Sequence, residues 1–344
     1  MEEHKQELFN ISRALLDSLS VETELESAIR LADLLNSNVP DPVIFTGGLE
    51  GREQQTFGGI ALSSANAAVC TLDYLRTARY IKGIWLGIQE LLGRFPDEPI
   101  TVLYAGCGPY ATLLLPLLPQ LDPGRVNVLL LDINPESIQH VKELISAFDL
   151  DGFVSEIRVA DAAVFQKEDS GKLHMVLTET MFEALTREPQ VAITVNLASR
   201  LVPGGLLIPQ QVQLNLVCTQ FVKEPRWEEG EDPFSYHAQL NKAYPERKEL
   251  GLLFSLDQHT VASSFEEEAT LLFRSREYVL PPAPEPFPDL CILTRINVFG
   301  NIWIESSASL ISNPYCVNSL YNLAHGRSVR LTCLFTGFPK WECT

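Results

Sequence analysis

Residues 102–111 read Val-Leu-Tyr-Ala-Gly-Cys-Gly-Pro-Tyr-Ala, which puts a glycine pair, Gly106 and Gly108, where an apolar run ends at Ala105. Glycine at both positions lets a backbone turn tightly and come close to a ligand. A helix opening just beyond would add unpaired N–H groups and a positive dipole end. Asp132 closes the next apolar run, 26 residues after Gly106. An acidic side chain at the carboxyl end of a strand accepts both hydroxyls of a ribose; the alternative is a charge at the start of the following helix. Asp161 follows a third run that ends at Val159. It would face an adenine amine, or stand as a solvated loop carboxylate. Two adenosine ligands fit: a dinucleotide, because Gly106-x-Gly108-x-x-Ala111 satisfies that fingerprint, or S-adenosyl-L-methionine.

These residues need a parallel sheet to bring them together. From residue 100 short apolar runs alternate with amphipathic segments, the pattern of βαβ units. The strands fall at 101–105, 126–132, 154–159, 175–178 and 205–208. After the second, Asn134 caps a helix with Pro135 in its first turn, and Ile138, Val141, Leu144, Ile145 and Phe148 share one face. Ahead of the sheet, 1–95 reads as a helical cap with helices at 8–19, 23–35 and 65–95, the last interrupted by Gly83, Gly87 and Gly93. The Pro- and Gly-rich stretch 39–64 reads as a loop. Beyond Pro209 the texture turns to alternating and β-branched runs at 212–222, 252–261, 290–298 and 328–335, an antiparallel β domain. Within it, 223–248 is a charged, Trp- and Tyr-bearing insertion. The division is 1–95, 96–208 and 209–344.

Composition sets the outer limits. The chain has 344 residues, 46% of them hydrophobic, and a net charge of −18. A surface of that sign repels phosphate backbones and anionic membranes, while cationic partners or substrates remain open. The uncharged stretch 99–121 contains Pro99, Pro109, Pro116, Pro119, Gly106 and Gly108. It therefore reads as a strand, a turn and a short helix rather than a membrane span. Seven cysteines without CxxC spacing, together with a Glu- and Lys-bearing start, give the expectation of a reduced cytoplasmic protein with no metal site.

Further motifs carry a family resemblance. Asp73-Tyr74-Leu75-Arg76-Thr77-Ala78-Arg79-Tyr80 precedes the glycine turn. Thr178-Glu179-Thr180-Met181 follows the fourth strand, with Glu188 nine positions after Glu179, and Leu201-Val202-Pro203-Gly204-Gly205-Leu206-Leu207-Ile208-Pro209 leaves the sheet. In these residues the chain resembles the class I S-adenosylmethionine-dependent methyltransferases, and within them the protein arginine methyltransferases. The resemblance implies a Rossmann-like α/β sheet with an N-terminal helical cap and a C-terminal antiparallel β-barrel-like domain. It also implies S-adenosyl-L-methionine as cofactor, S-adenosyl-L-homocysteine as product, and a possible homodimer whose arm would be 227–248. Arg76 would grip the methionine carboxylate. Ala105, Gly106, Gly108, Asp132 and Asp161 would line the rest of the cofactor site, and Glu179 and Glu188 would be catalytic, with Glu179 as general base. The cap helices, with 57–62, would close over the cofactor.

The chain departs from that family's pattern in several places. Tyr104 stands where an acid is usual, Tyr110 replaces a glycine, and Asp132 replaces a glutamate. There is no Thr-His-Trp triplet, its nearest counterparts being Asn313-Pro314-Tyr315-Cys316 and His325. The acceptor thus stays open between arginine, another guanidino or amino group, and a small metabolite. A non-catalytic adenosine-binding protein and an NAD-dependent oxidoreductase are the alternatives.

Overall fold

Two amphipathic helices begin the chain, α1 (Glu2–Asp17) and α2 (Val21–Ser37). The side chain of Ser20 accepts from the Thr23 N–H and caps α2, whose buried face carries Leu25, Ala28, Leu31 and Leu35. The computed structural model describes residues 2–39, 53–166, 172–228, 230–240, 244–323 and 328–344. Half of the expected 39–64 loop (40–52) and His325 lie outside them. The described part of that loop is not irregular. It forms a hairpin, β1 (Gln54–Thr56) and β2 (Gly59–Ala61), turned at Phe57-Gly58, so 57–62 joins the cap as β structure rather than helix.

The helix expected over 65–95 is broken, but not at its glycines. A short α3 (Ser64–Val69) and one 3-10 turn lead to Asp73, which caps α4 (Tyr74–Arg94) by accepting from the Arg76 N–H. Aspartate hydrogen-bonds an exposed helix start better than it tolerates a helix interior, so the break falls there. The glycines instead permit close packing: a Cβ at Gly83 would lie 2.5 Å from a Val298 methyl. Buried Glu24 ties α2 to α4 through Lys82 at 2.7 Å and Arg79 at 3.1 Å.

Five parallel strands follow: β3 (Ile100–Ala105), β4 (Val126–Asp132), then α5 (Pro135–Ala147), β5 (Val154–Val159), β6 (Leu173–Thr178), α6 (Gln190–Ala198) and β7 (Leu201–Ile208). Their order is β5-β4-β3-β6-β7. The chain leaves β3 toward β4 on one side and returns to β6 on the other. The register aligns Ala105 with Leu131 and Thr178, so the residues after β3, β4, β5 and β6 emerge along one edge at this switch point. No α-helix follows the glycine turn. Residues 109–120 run through turns into a 3-10 helix, Leu115–Gln120, because Pro109, Pro116 and Pro119 interrupt α-helical hydrogen bonding.

The β-rich half pairs β8 (Gln211–Thr219) with β9 (Lys248–Asp257) across an insertion holding α7 (Pro233–Leu240). The insertion does not project as an arm. Trp227 is buried and exchanges hydrogen bonds with Asn313, Tyr236 donates to Ser307 O, and Tyr244 donates to Ser306 O. Short strands β10 (Leu272–Arg274) and β11 (Tyr278–Val279) precede β12 (Asp289–Phe299), the second central strand of the antiparallel sheet, and β13 (Ile302–Ile304) and β14 (Tyr315–Ser319) flank it. Finally β15 (Ser328–Val329) pairs with β11, while β16 (Leu331–Leu334) lies between β10 and β17 (Trp341–Cys343). Among the described residues no helix is long and apolar enough to cross a membrane.

The glycine packing gives a direct check by denaturant unfolding. Gly83→Ala is expected to lose about 1–3 kcal/mol through overpacking against Val298, despite its better helix propensity. Gly93→Ala, which meets nothing within 4 Å, is expected to gain up to about 1 kcal/mol.

Candidate active site

The carboxyl edge of the sheet opens into a cavity of about 230 Å³, roofed by the hairpin and by α3 and floored by the strand ends. Arg76, Gly106, Gly108, Asp132, Asp161, Glu179 and Glu188 all line it. Ala105 does not: it is fully buried, and strand alternation turns its side chain away from the wall that Tyr104 and Gly106 form. Gly106 and Gly108 have φ of +73° and +63°. A Cβ on Gly106 would also lie 2.4 Å from the Thr180 methyl, so the turn requires glycine there twice over. Asp132 holds the turn from below, accepting from the N–H groups of Gly108 and Asn134 at 2.8 Å each. Asp161 accepts from Phe57 N–H at 3.3 Å and Ala163 N–H at 2.9 Å, fastening the hairpin tip to the sheet. A carboxylate offers about four acceptor positions, so both acids retain capacity toward the cavity.

At the other end Arg76 and Glu179 form a 2.9 Å ion pair, each side chain 7% exposed. Arg76 also donates to Cys70 O, while its Nε is buried with no hydrogen-bond partner among the described residues. Burial pushes the Glu179 carboxyl up, opposed by the Arg76 charge. Glu188, half-buried, is pushed up to about 8, first by desolvation and then by the charge of Glu179. The loop between these glutamates is strained. Ala184, Leu185 and Arg187 have φ of +55°, +59° and +62°, conformations costing on the order of 1–3 kcal/mol each for non-glycine residues. Gln190 braces its start, its Oε1 accepting from the Thr180 N–H at 2.9 Å.

No protein-family model matches the chain. No curated protein matches it in sequence. Among solved structures, PRMT6 superposes with a TM-score of 0.53 at 13% identity, over 82% of this chain and 99% of that one. The fold is that of a protein arginine methyltransferase. The Trypanosoma brucei PRMT1 enzyme-prozyme heterotetrameric complex with AdoHcy is similar with a TM-score of 0.48 at 14% identity, over 77% of this chain and 86% of that one. Arabidopsis thaliana protein arginine methyltransferase 10, in a uniquely open conformation, gives 0.47 at 13% identity, over 77% and 86%.

Within this arginine methyltransferase fold the glycine turn lacks the α-helix start that a dinucleotide fingerprint leads into. A pyrophosphate would need a helix N-terminus after the glycines. Here a prolyl turn with Ala111 at φ +44° follows, and the Gly108 N–H is already given to Asp132. The β-rich half reaches the cavity through Leu310 and Ile311, not through 313–316. Asp73 fixes that approach by accepting from Ser309 Oγ at 2.6 Å and Leu310 N–H at 2.9 Å. Sequence reasoning missed Leu310, Ile311, Thr180, Arg187 and Gln190. Thr180 lay inside the Thr178–Met181 motif without a role assigned to it, and Gln190, a polar residue soon after Glu188, carried the other local hint.

Glu188 makes stability depend on pH. A carboxyl with its folded pKa raised above the unfolded value binds more protons when folded, so its contribution falls as pH rises from about 4.5 to about 8. Glu188→Gln is expected to melt about 2 °C higher than the native chain at pH 9. At pH 4 the difference should vanish, and thermal scans at the two pH values check both arms.

Proposed function

We propose that this chain is a methyltransferase that uses S-adenosyl-L-methionine and delivers the methyl group to a cationic nitrogen compound, a protein or a small molecule, leaving S-adenosyl-L-homocysteine. The observation that carries the reading is Arg76, buried in the cavity with an Nε that has no partner among the described residues. A buried N–H without an acceptor costs about 1–3 kcal/mol, and a planar guanidinium matches a carboxylate. The residues present fit the cofactor. Arg76 would hold its carboxylate, Gly106 and Gly108 would admit its backbone-hugging centre, Asp132 would take ribose hydroxyls and Asp161 an adenine amine. When bound, the cofactor supplies a methyl group on a positively charged sulfur, already a good leaving group.

The chain's own residues then have three tasks. The first is alignment: catalysis of this type rests on holding donor and acceptor in line, and the hairpin, α3 and Leu310-Ile311 wall the space from water. The second is charge. Asp132, Asp161, Glu179 and Glu188 outnumber Arg76 and Arg187 in the lining, which favours a cationic acceptor. The third is the proton that a charged nitrogen must release. Glu179 is committed to Arg76 and stays the anion that orients the acceptor. Glu188, titrating near 8, is matched to take the proton, so we assign the base to Glu188 rather than to Glu179.

Calorimetry with S-adenosyl-L-homocysteine tests the cofactor end. Arg76→Ala should weaken binding by about 1.5–3 kcal/mol, the range for a bond to a charged group. Unchanged affinity would remove Arg76 from the site. Methyl release to cationic peptides and amines tests the other end. The rate should climb with pH through about 8 as Glu188 ionises, and Glu188→Gln should abolish that limb. Tight product binding without methyl release to any acceptor would instead identify a non-catalytic adenosine-binding protein.

A further inference from the structure

We infer that Trp341, on the last strand, is a positioning residue for the loop that carries Glu179 and Glu188, acting through the carbonyl of Ala184; the inference rests on the methyl-transfer reading of that loop. The loop's own turn bonds, Leu185 N–H to Phe182 O at 3.0 Å and Thr186 N–H to Glu183 O at 3.1 Å, do not by themselves account for its backbone. Three non-glycine residues in the left-handed region, Ala184, Leu185 and Arg187, set the path between the two carboxylates. Such conformations persist only where surrounding structure imposes them. The imposing contacts come from far along the chain. The indole Nε1–H of Trp341 donates to Ala184 O at 2.9 Å, and Arg187 N–H donates to Pro339 O at 3.1 Å. Both bonds tie the loop to the chain just before and within β17.

Trp341 is fit to act as an anchor. It is 2% exposed and packs edge-on against Phe335 and Phe273, with ring centroids 5.7 and 5.8 Å away. Its strand is paired to β16, Cys333 opposite Trp341. The loop is thus referenced to the aromatic core of the β-rich half, while Glu179 is referenced through Arg76 to the helical cap. The distance between the two carboxylates becomes a property of how these two bodies sit together. Releasing Ala184 would let the loop relax toward ordinary backbone and carry Glu188 toward water. The desolvation that raises its pKa would then weaken.

Trp341→Phe in the full chain keeps an aromatic ring in place but removes the donor together with part of the indole's volume, so a packing control is needed beside it. Affinity for S-adenosyl-L-homocysteine should stay within about twofold, while kcat falls by roughly 10–100-fold, as expected for a misplaced catalytic group. The alkaline limb should move below pH 8, and the amides of 184–187 should exchange faster with deuterium. Phe335→Leu is the packing control, expected to lower the melting temperature without moving the limb. An unchanged kcat and limb in Trp341→Phe, or an equal shift in Phe335→Leu, would overturn the inference. Should the native chain methylate nothing, amide exchange and a carboxyl NMR titration of Glu188 in Trp341→Phe still decide it, with faster exchange and a lower pKa expected.

Discussion

A charged pair withdrawn from water costs more than its own attraction returns unless its geometry is good and its remaining atoms are served. The Arg76–Glu179 pair lies under that constraint, and much of the surrounding architecture answers it. Asp73 caps α4 so that Arg76 falls in its first turn, aimed at the strand ends. Cys70 O takes one guanidinium donor, and the backbone at Met181 faces Glu179. The Nε–H has no partner among the described residues, and under the proposed reading it is the donor a carboxylate would take. The same Asp73 reaches Ser309 and Leu310, so the ion pair, the cap and the β-rich half share one aspartate.

Around this pair the two glutamates are driven apart electrostatically. Glu179 has a cation against it. Glu188 has Glu179 beside it and only partial relief from Arg76 and Arg187, so it holds its proton to higher pH. Environments that separate two neighbouring carboxyls are how one site obtains both a fixed anion and a proton acceptor near neutrality. The backbone between them is strained because eight residues must turn through a space bounded by the hairpin, α6 and the C-terminal strand. Gly59 shows how tight this is, since a Cβ there would sit 2.3 Å from Arg187 O.

The sheet was legible where buried parallel strands read as continuous apolar runs, as in β4 at 126–132, while the edge strand β5 matches 154–159 with no buried residue of its own. The helix α5 was legible from its cap, its proline and its spacing. Elsewhere local signals misled. The glycine fingerprint suggested a helix that the prolines after it forbid. Glycines in α4 looked like interruptions because close packing against Val298 is invisible in one dimension. Residues 57–62 offered turn chemistry but too few residues to show alternation. At the site, Asp132 was legible as an acid closing a predicted strand, whereas Arg76, Glu179 and Glu188 were legible through the family motifs that hold them. Trp341, 157 residues from Ala184, and the Asp73–Leu310 link carry no local signal, because only the assembled fold brings them together.

The central claim is that the cavity recognises a nucleoside through a distant carboxylate. It is tested most directly by comparing the affinities of S-adenosyl-L-homocysteine and 5′-methylthioadenosine, which keeps the adenosine and the sulfur but lacks the amino-acid group, for the native chain by calorimetry. A cavity organised by Arg76 predicts that the homocysteine compound binds at least about tenfold more tightly, one charge-assisted bond's worth. Equal affinities for the two, or no binding of either, would contradict it.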